Sequence, residues 1–195
     1  ALGGDGRRRR GAAGTGATDC AETIKALNEL WNLKLTNQDM MAIGEKLGAD
    51  IPFFFLEKSA RARGIGEILT TFVNKTRLKV LLINDGTSIS SIDVYKKTKL
   101  FGHIDTAKIV AGLEAGNFSV VEHFENVMED VVLRDHPHLV AIKERLVEHG
   151  AYKSLVSGSG ASIFGVFKDD LSLDRAYEKL KDSYQFVRKV DLIDD

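Results

Sequence analysis

Residues 47–54 read Leu-Gly-Ala-Asp-Ile-Pro-Phe-Phe, with a glycine, an aspartate and a proline between two apolar segments. The aromatic run from Ile51 to Leu56 is too short for a helix and is typical of a buried strand, which we predict there. Asp50 is then a lone carboxylate at a helix-to-strand junction. Such a carboxylate is a general base, a holder of a metal-bound phosphate, or an ordinary turn residue, and spacing alone favours the turn residue.

Two helices are predicted before this stretch. Apolar residues recur at three- and four-residue intervals from Thr18 to Asn32, which is typical of an amphipathic helix. Residues 36–39, Thr-Asn-Gln-Asp, have the pattern of a capping box, in which side-chain oxygens bind free amides at a helix start. They predict a second helix, and Gly48 is suited to end it.

Strands and helices alternate through the rest of the chain. A turn at residues 64–67 separates strands predicted at 59–63 and 68–73, and the apolar pattern pauses near residues 74–76. Later strands are predicted at 80–83, 161–167 and 186–192, and later helices at 92–98, 106–115, 120–131, 139–148 and around 173–180. This alternation indicates a layered α+β or α/β fold.

The composition excludes several functional classes. The 195 residues include 27 Lys and Arg and 28 Asp and Glu, so the net charge of -1 gives no general attraction to nucleic acid or anionic membrane. No apolar run approaches the roughly 20 residues that a membrane-spanning helix needs. Because Cys20 is the only cysteine, an internal disulfide is impossible, and a cytoplasmic setting is the default expectation.

Two glycine-rich segments are candidate ligand-binding loops. Residues 11–19 precede the first predicted helix, whose free amides and partial positive charge favour a phosphate. A flexible terminus that runs into an ordinary cap is an equally good interpretation, and no Walker-type Gly-Lys-Ser/Thr follows. Residues 155–162 contain two glycines flanked by serines just before a strand, which favours a functional loop over a simple turn.

Metal and nucleic-acid sites are not indicated. The five histidines are scattered or flank Pro137, and no His-x-x-x-His pair occurs, so we predict no metal-ligand set. The four arginines at residues 7–10 could contact nucleic-acid phosphates, but no aromatic residue interleaves them. A solvated or artefactual terminus is the better interpretation.

Taken in order, these segments resemble the GHMP kinases, the family of galactokinase, homoserine, mevalonate and phosphomevalonate kinases. The resemblance extends over about residues 11–192. The stretch at 47–54 is similar to the family branch that acts on a diphosphocytidyl methylerythritol in non-mevalonate isoprenoid biosynthesis. Further stretches match in family order, at residues 64–67, 88–91, 125–129 and 157–160.

The resemblance implies an α+β fold with two-layer architecture. It implies a truncated N-terminal domain of the ribosomal S5 type over residues 11–75, which would bind ATP. A ferredoxin-like C-terminal domain would follow over residues 76–195. Residues 1–10 would form an irregular Gly/Arg-rich terminus.

The resemblance also implies a function, an ATP- and Mg²⁺-dependent kinase that phosphorylates a hydroxyl of a small diphosphocytidyl substrate. Asp50 matches the family's catalytic aspartate, which takes or orients the proton of the attacking hydroxyl. The residues implied in ATP binding lie in the first glycine-rich segment and are Gly11, Gly14, Thr15, Gly16, Ala17 and Thr18. The residues implied near the substrate or its phosphates are Gly64, Gly66, Glu67, Ser91, Ser157, Gly158, Ser159 and Gly160.

Several departures from the family pattern bear on activity. Ala17 replaces the first serine of a Ser-Ser pair, and residues 8–10 are arginines where the family has a strand end and a glycine. The family's Lys-x-Asn segment with its catalytic lysine, and its Tyr-His element that holds cytosine, have no counterpart. We therefore expect the chain to be the C-terminal two-thirds of a kinase or a frame-disturbed version, itself inactive or nearly so.

Alternatives remain at this point. One alternative is that the protein is another GHMP kinase, of the homoserine or mevalonate type, although residues 47–54 argue against this. A non-catalytic binding module on the same fold is another, and an arginine-rich nucleic-acid arm is the weakest. We expect no nucleic-acid or membrane partner, and a homodimer is an option.

Overall fold

The computed structural model describes residues 15–56, 58–64, 66, 68–99, 104–190 and 192. Its α-helices are α1 (Thr15–Leu30), α2 (Asn37–Glu45), α3 (Ser91–Lys97), α4 (Thr106–Glu114), α5 (Glu129–Asp135), α6 (His138–Glu148) and α7 (Asp170–Leu180). Two 3₁₀ helices span Ile51–Phe55 and Phe118–His123. The strands are β1 (Ala60–Arg63), β2 (Ile68–Thr71), β3 (Lys79–Asn84), β4 (Lys153–Val156), β5 (Ile163–Phe167) and β6 (Phe186–Val190).

The predicted capping box at the start of α2 is confirmed. The backbone N–H of Asp39 donates to Thr36 Oγ1 at 3.2 Å, and the backbone N–H of Thr36 donates to Asp39 Oδ2 at 2.9 Å. The two side chains thus bind amides that a helix start leaves unpaired. With α1 and the first 3₁₀ helix, α2 encloses a small hydrophobic cluster of Ala21, Met40, Ile51 and Phe55.

The strand predicted over residues 51–56 is wrong, because Ile51–Phe55 forms a 3₁₀ helix. Pro52 stands in its first turn, where the fixed φ of proline suits a helix and its missing N–H has no role. The buried positions are Ile51, Pro52 and Phe55, which is helical spacing and not the alternation of a strand. Short apolar runs carry no period that distinguishes the two structures.

Within the described ranges, four strands form one antiparallel sheet in the order β4-β5-β3-β6. Helices lie between β3 and β4 and between β5 and β6, so the chain order is βαββαβ, the ferredoxin-like arrangement. Leu81 and Ile83 of β3 join Leu146 of α6 and Leu180 of α7 in one fully buried cluster. A helix layer therefore covers one face of the sheet, and the predicted α+β two-layer class is confirmed.

The single helix predicted over residues 120–131 is also wrong. The chain forms the 3₁₀ helix Phe118–His123, then a turn, and only then α5. In that turn Asn126 Oδ1 accepts the backbone N–H of Met128 at 3.0 Å, which offers the backbone an alternative to helical bonding. Strand β4 was not predicted, because its four residues merge in sequence with the glycine-rich segment that follows.

None of the helices in the described ranges is long and apolar enough to cross a membrane.

Candidate active site

Asp50 lies between α2 and the first 3₁₀ helix, at an exposed position. It stands at the N-terminus of that 3₁₀ helix, but its side chain makes no capping hydrogen bond there. The next two residues, Ile51 and Pro52, are buried. Gly44 of α2 packs so closely on Ile51 that a Cβ at Gly44 would lie 2.6 Å from Ile51 Cγ2. Ile51 and Pro52, the buried residues that follow Asp50, therefore fix the backbone that carries its carboxylate.

A cavity of about 350 Å³ joins Asp50 to the start of α1. Residues 47–51 line one side of it, and Gly16, Ala17 and Cys20 line the other. The structure thus brings Gly16 and Ala17, both predicted to bind ATP, to the same cavity as the predicted catalytic aspartate. Thr15 begins α1, and Thr18 lies in the same first turn, half-buried. Gly11 and Gly14 lie outside the described residues.

The glycine turn at residues 64–66 also reaches Asp50. A Cβ at Gly66 would lie 2.8 Å from Asp50 Oδ1, so only a glycine leaves room for the carboxylate in its present position. Gly66 has φ +122°, which side-chain-bearing residues rarely adopt. Gly64 lies in the same turn and is exposed. Glu67, the third residue predicted in this turn, lies outside the described residues.

The remaining predicted residues form a second group, around the loop Ser157–Gly160. The Ser91 and Ser159 hydroxyls are 2.7 Å apart, which joins the start of α3 to this loop. A Cβ at Gly160 would lie 3.1 Å from both Ile89 Cδ1 and Val132 Cγ1, so the backbone approaches hydrophobic side chains closely. Gly158 is exposed, whereas Ser157, Ser159 and Gly160 are half-buried.

Two side chains that sequence reasoning did not single out hold this loop. Asn126 Nδ2 donates to the carbonyl oxygens of Val156 and Gly158, at 2.8 Å each. Glu129 Oε2 accepts the backbone N–H of Val156 at 2.7 Å. The available signal was the similarity of residues 125–129 to the family pattern, which gives no role to either side chain.

A second cavity, of about 530 Å³, lies between α3 and the end of α5, and Ile89 lines it as well as contacting Gly160. Asp135 lines this cavity and pairs with Lys97 at 2.8 Å. Hydrogen bonds from Arg134 first, and then from Lys97, lower the pKa of Asp135 to about 2. The carboxylate is therefore charged at neutral pH, and its charge is already neutralised by two cations.

The start of α1 is suited to an anion. Thr15, Gly16, Ala17 and Thr18 place no acidic side chain in its first turn, whose amides carry the positive end of the helix dipole. Apart from its chain neighbours and the backbone of α1 itself, no described atom lies within 4 Å of the position that a Gly16 Cβ would take, which leaves space beside this backbone for a phosphate.

A metal site built from protein ligands alone is not indicated. Among the residues that the structure describes, no group of three or more His, Cys, Asp or Glu side chains is placed to hold a metal ion. Mg²⁺ commonly binds through one or two carboxylates together with substrate phosphates and water. Asp50, beside the amides of α1, fits a Mg²⁺ that arrives with a nucleotide.

Comparisons with known proteins give similarities along most of the chain. The family model described as GHMP kinases N terminal domain matches residues 10–58, and the one described as GHMP kinases C terminal matches residues 103–185. A curated relative from Alkaliphilus metalliredigens, named 4-diphosphocytidyl-2-C-methyl-D-erythritol kinase, is 34% identical over 179 residues, covering 90% of this chain and 61% of the relative. A relative of the same name from Clostridium botulinum is 35% identical over 181 residues, covering 91% and 64%.

The chain thus spans less than two thirds of the length of these curated relatives. Solved structures are similar too. A crystal structure of 4-(cytidine 5'-diphospho)-2C-methyl-D-erythritol kinase superimposes with a TM-score of 0.77 at 26% identity, covering 96% of this chain and 69% of that one. A homoserine kinase from Cytophaga hutchinsonii superimposes with a TM-score of 0.75 at 17% identity, covering 95% and 68%, and this likeness concerns the fold alone.

Proposed function

The chain belongs to the GHMP kinase family, and on this premise we propose that its protein transfers the γ-phosphoryl group of ATP to a hydroxyl of 4-diphosphocytidyl-2-C-methyl-D-erythritol. The observation that carries the proposal is the shared cavity of Asp50 with Gly16 and Ala17. A phosphate-binding helix start and a carboxylate that can receive a hydroxyl proton are the two parts that phosphoryl transfer needs side by side. The choice of substrate rests on the names of the curated relatives.

In the proposed reaction, the start of α1 binds the phosphates and Asp50 receives or orients the proton of the substrate hydroxyl. ATP supplies the phosphoryl group: a bond forms from the substrate oxygen to phosphorus, and the bond to the ADP oxygen breaks. The first-turn amides of α1 bind phosphate oxygens and hold them in place. Asp50 orients the substrate hydroxyl or takes its proton as the new bond forms. Gly66 leaves the carboxylate the space that it occupies.

The loop Ser157–Gly160 is proposed to bind the substrate near its phosphates. Its serine hydroxyls are donors of the kind that neutralise charge in phosphoryl transfer. Ser91 belongs to the same group through its contact with Ser159. Asp50 would be the carboxylate that holds a Mg²⁺ arriving with the nucleotide, and this cation would neutralise charge on the phosphates.

The test is an ATP-consumption assay with the protein expressed from its complete reading frame. We expect turnover with 4-diphosphocytidyl-2-C-methyl-D-erythritol and little with homoserine or mevalonate. Turnover of homoserine or mevalonate instead would move the protein to another branch of the family. Nucleotide binding that is absent with and without Mg²⁺ would favour a non-catalytic module.

The role of Asp50 is tested by Asp50→Asn, which keeps the size of the side chain and removes its basicity. We expect kcat to fall by about 10²–10⁴-fold, the usual contribution of a positioned acid or base, while ATP affinity measured without Mg²⁺ stays nearly unchanged. Asp182→Asn, at an exposed position after α7, is the matched control and should leave kcat at the wild-type value. Wild-type kcat in Asp50→Asn would remove this carboxylate from the mechanism.

The remaining expectations stay predictions. These are a cytoplasmic setting, the lack of a nucleic-acid or membrane partner, and a homodimer as an option. Size-exclusion chromatography with light scattering measures the last directly.

A further inference from the structure

We propose that Asn126 is a positioning residue for this kinase, which together with Glu129 holds the Ser157–Gly160 loop in the shape that the substrate requires. The inference rests on the proposed function, since it gives that loop a substrate to bind. It adds two residues to which neither sequence spacing nor the cavity around Asp50 assigns a role.

Asn126 uses both ends of its amide. Its Oδ1 accepts the backbone N–H of Met128 at 3.0 Å, which fixes the turn before α5. Its Nδ2 donates to the carbonyl oxygens of Val156 and Gly158, at 2.8 Å each. One half-buried side chain therefore bridges the turn and the loop, at positions 30 and 32 residues away in sequence.

Glu129 completes the attachment at the end of β4. Its Oε2 accepts the backbone N–H of Val156 at 2.7 Å, and its Oε1 pairs with Lys143 Nζ of α6. The side chains of Glu129 and Lys143 are only 16% and 20% exposed. A carboxylate that is largely removed from water and held by a cation makes a stronger hydrogen bond to an amide than a neutral group does.

The position of Val156 explains why this attachment is needed. Strand β4 is at the edge of the sheet, with β5 on one side, and Val156 is its last residue. An edge strand leaves a row of N–H and C=O groups without strand partners. Here the N–H of Val156 binds Glu129 and its C=O binds Asn126. The backbone is thus fixed at the residue where the loop begins.

The loop itself has little to determine its shape. Gly158 and Gly160 have φ values of +57° and +82°, and glycine backbones reach many other conformations at similar energy. Within the loop, the Gly160 N–H donates to the Ser157 carbonyl oxygen at 3.0 Å. The bond from Asn126 to the Gly158 carbonyl oxygen adds a constraint at its most exposed point. Loss of this constraint would increase the entropy that must be lost when a substrate binds.

The experiment compares Asn126→Asp with Asn117→Asp in the protein from its complete reading frame. Asn117 Oδ1 accepts the N–H of Ser119, two residues on, as Asn126 Oδ1 does with Met128. A carboxylate keeps this turn contact at both positions. Only at position 126 does the substitution remove a donor to the Ser157–Gly160 loop. The pair therefore separates the loop contact from the turn contact.

Two readouts are measured. In hydrogen–deuterium exchange, the amides of residues 157–160 should exchange faster in Asn126→Asp and at the wild-type rate in Asn117→Asp. In the kinase assay, kcat/KM should fall by about 10- to 100-fold in Asn126→Asp only, the size expected for a mispositioned binding group. The exchange readout does not require turnover, so it stands even if the proposed reaction is wrong.

A pH profile distinguishes positioning from a general loss of structure. The introduced carboxylate faces two carbonyl oxygens, which raises its pKa, and once protonated it can donate to one of them again. The ratio of variant to wild-type kcat/KM should therefore rise as the pH is lowered. The charged groups nearby are Glu125 and Glu129, the latter paired with Lys143, and both proteins carry them.

Each outcome decides the proposal. Faster loop exchange with reduced, acid-rescued kcat/KM supports it. Unchanged exchange of residues 157–160 overturns it, and so does faster exchange with wild-type kcat/KM. If the wild type turns over no substrate but the loop exchanges faster in Asn126→Asp, the attachment is supported and the proposed reaction is the part that fails.

Discussion

At the scale of single residues, the contact between Gly66 and Asp50 decides where the candidate catalytic carboxylate can lie. The two residues are on different elements, and a Cβ at Gly66 would lie 2.8 Å from Asp50 Oδ1. Real Cβ atoms do not come this close to another heavy atom, so one of the two groups would have to move. Asp50 is exposed, and therefore it is the group that is free to turn away.

We accordingly predict that Gly66→Ala lowers kcat by about 10²-fold, the effect of a displacement near 1 Å, while ATP affinity changes little. Gly116→Ala is the matched control. Gly116 also has a positive φ, of +69°, but the nearest atom to its Cβ position is the Lys75 carbonyl oxygen at 3.6 Å. Both variants should lose about 1–3 kcal/mol of stability from backbone strain. Equal kcat values in the two variants would show that the contact with Asp50 is irrelevant.

At the scale of elements, α2 is held at its start by the Thr36–Asp39 capping box. Hydrogen bonds from the Thr36 side chain first, and then from its backbone N–H, lower the pKa of Asp39 below the usual value of an aspartate. A carboxyl group whose pKa is lower in the folded state stabilises that state at pH values above its unfolded pKa, about 3.9. This stabilisation is lost as the pH falls through the folded pKa.

Thr36→Ala should therefore destabilise the protein by about 1 kcal/mol at pH 7, the usual cost of a lost N-cap. The difference from the wild type should shrink as the pH is lowered below about 4, because the Asp39 carboxylate becomes protonated. Urea unfolding at pH 7 and at low pH measures both effects. Thr23→Ala is the control, since this exposed hydroxyl on α1 donates to the Asp19 carbonyl oxygen four residues earlier and caps no helix start. If the difference in unfolding free energy between Thr36→Ala and the wild type did not change with pH, the Asp39 carboxylate would have no part in the cap.

At the scale of the whole molecule, two hydrophobic clusters of buried residues are separate from each other in the part of the chain that the structure describes. One contains Ala21, Met40, Ile51 and Phe55. The other is built on the sheet, between Leu81 and Val187. The segment that joins the two regions binds the end of α4, where the Lys75 N–H and the Thr76 hydroxyl both donate to the Leu113 carbonyl oxygen, at 3.0 and 3.1 Å. We propose that the chain folds as two units with a boundary near residues 74–76.

This division predicts that core substitutions act locally. Phe55→Leu should raise amide exchange in α1 and α2 by about tenfold or more and leave β3 and β5 unchanged. Phe167→Leu, at an equally buried position in the other cluster, should raise amide exchange in β3 and β5 and leave that in α1 and α2 unchanged. Exchange measured by mass spectrometry compares the two variants directly. If either variant raised exchange along the whole chain, the molecule would unfold as a single unit and the boundary would be wrong.

Local features were predictable where a short stretch carries its own signal. The capping box and the periodic apolar residues gave the positions of α1 and α2, because both signals lie within the helix itself. The resemblance to the GHMP kinases is confirmed by two family models and by relatives near 35% identity. Residues 51–56 and 120–131 were predicted wrongly. The first run is too short to carry a period and has Pro52 in its first turn, and in the second the Asn126 side chain bonds the Met128 N–H and interrupts the helix.

The sequence by itself determined the family and the fold class, and through the family resemblance it predicted Asp50 as the candidate catalytic residue. Only the tertiary structure decided what lies beside that residue and which side chains hold the Ser157–Gly160 loop. Gly66 is placed against Asp50, and Ser91 against Ser159, 68 positions away. The amide of Asn126 reaches a strand end that the sequence did not even identify as a strand. These contacts join residues far apart in the chain, so they depend on how the elements pack and leave no trace in local spacing.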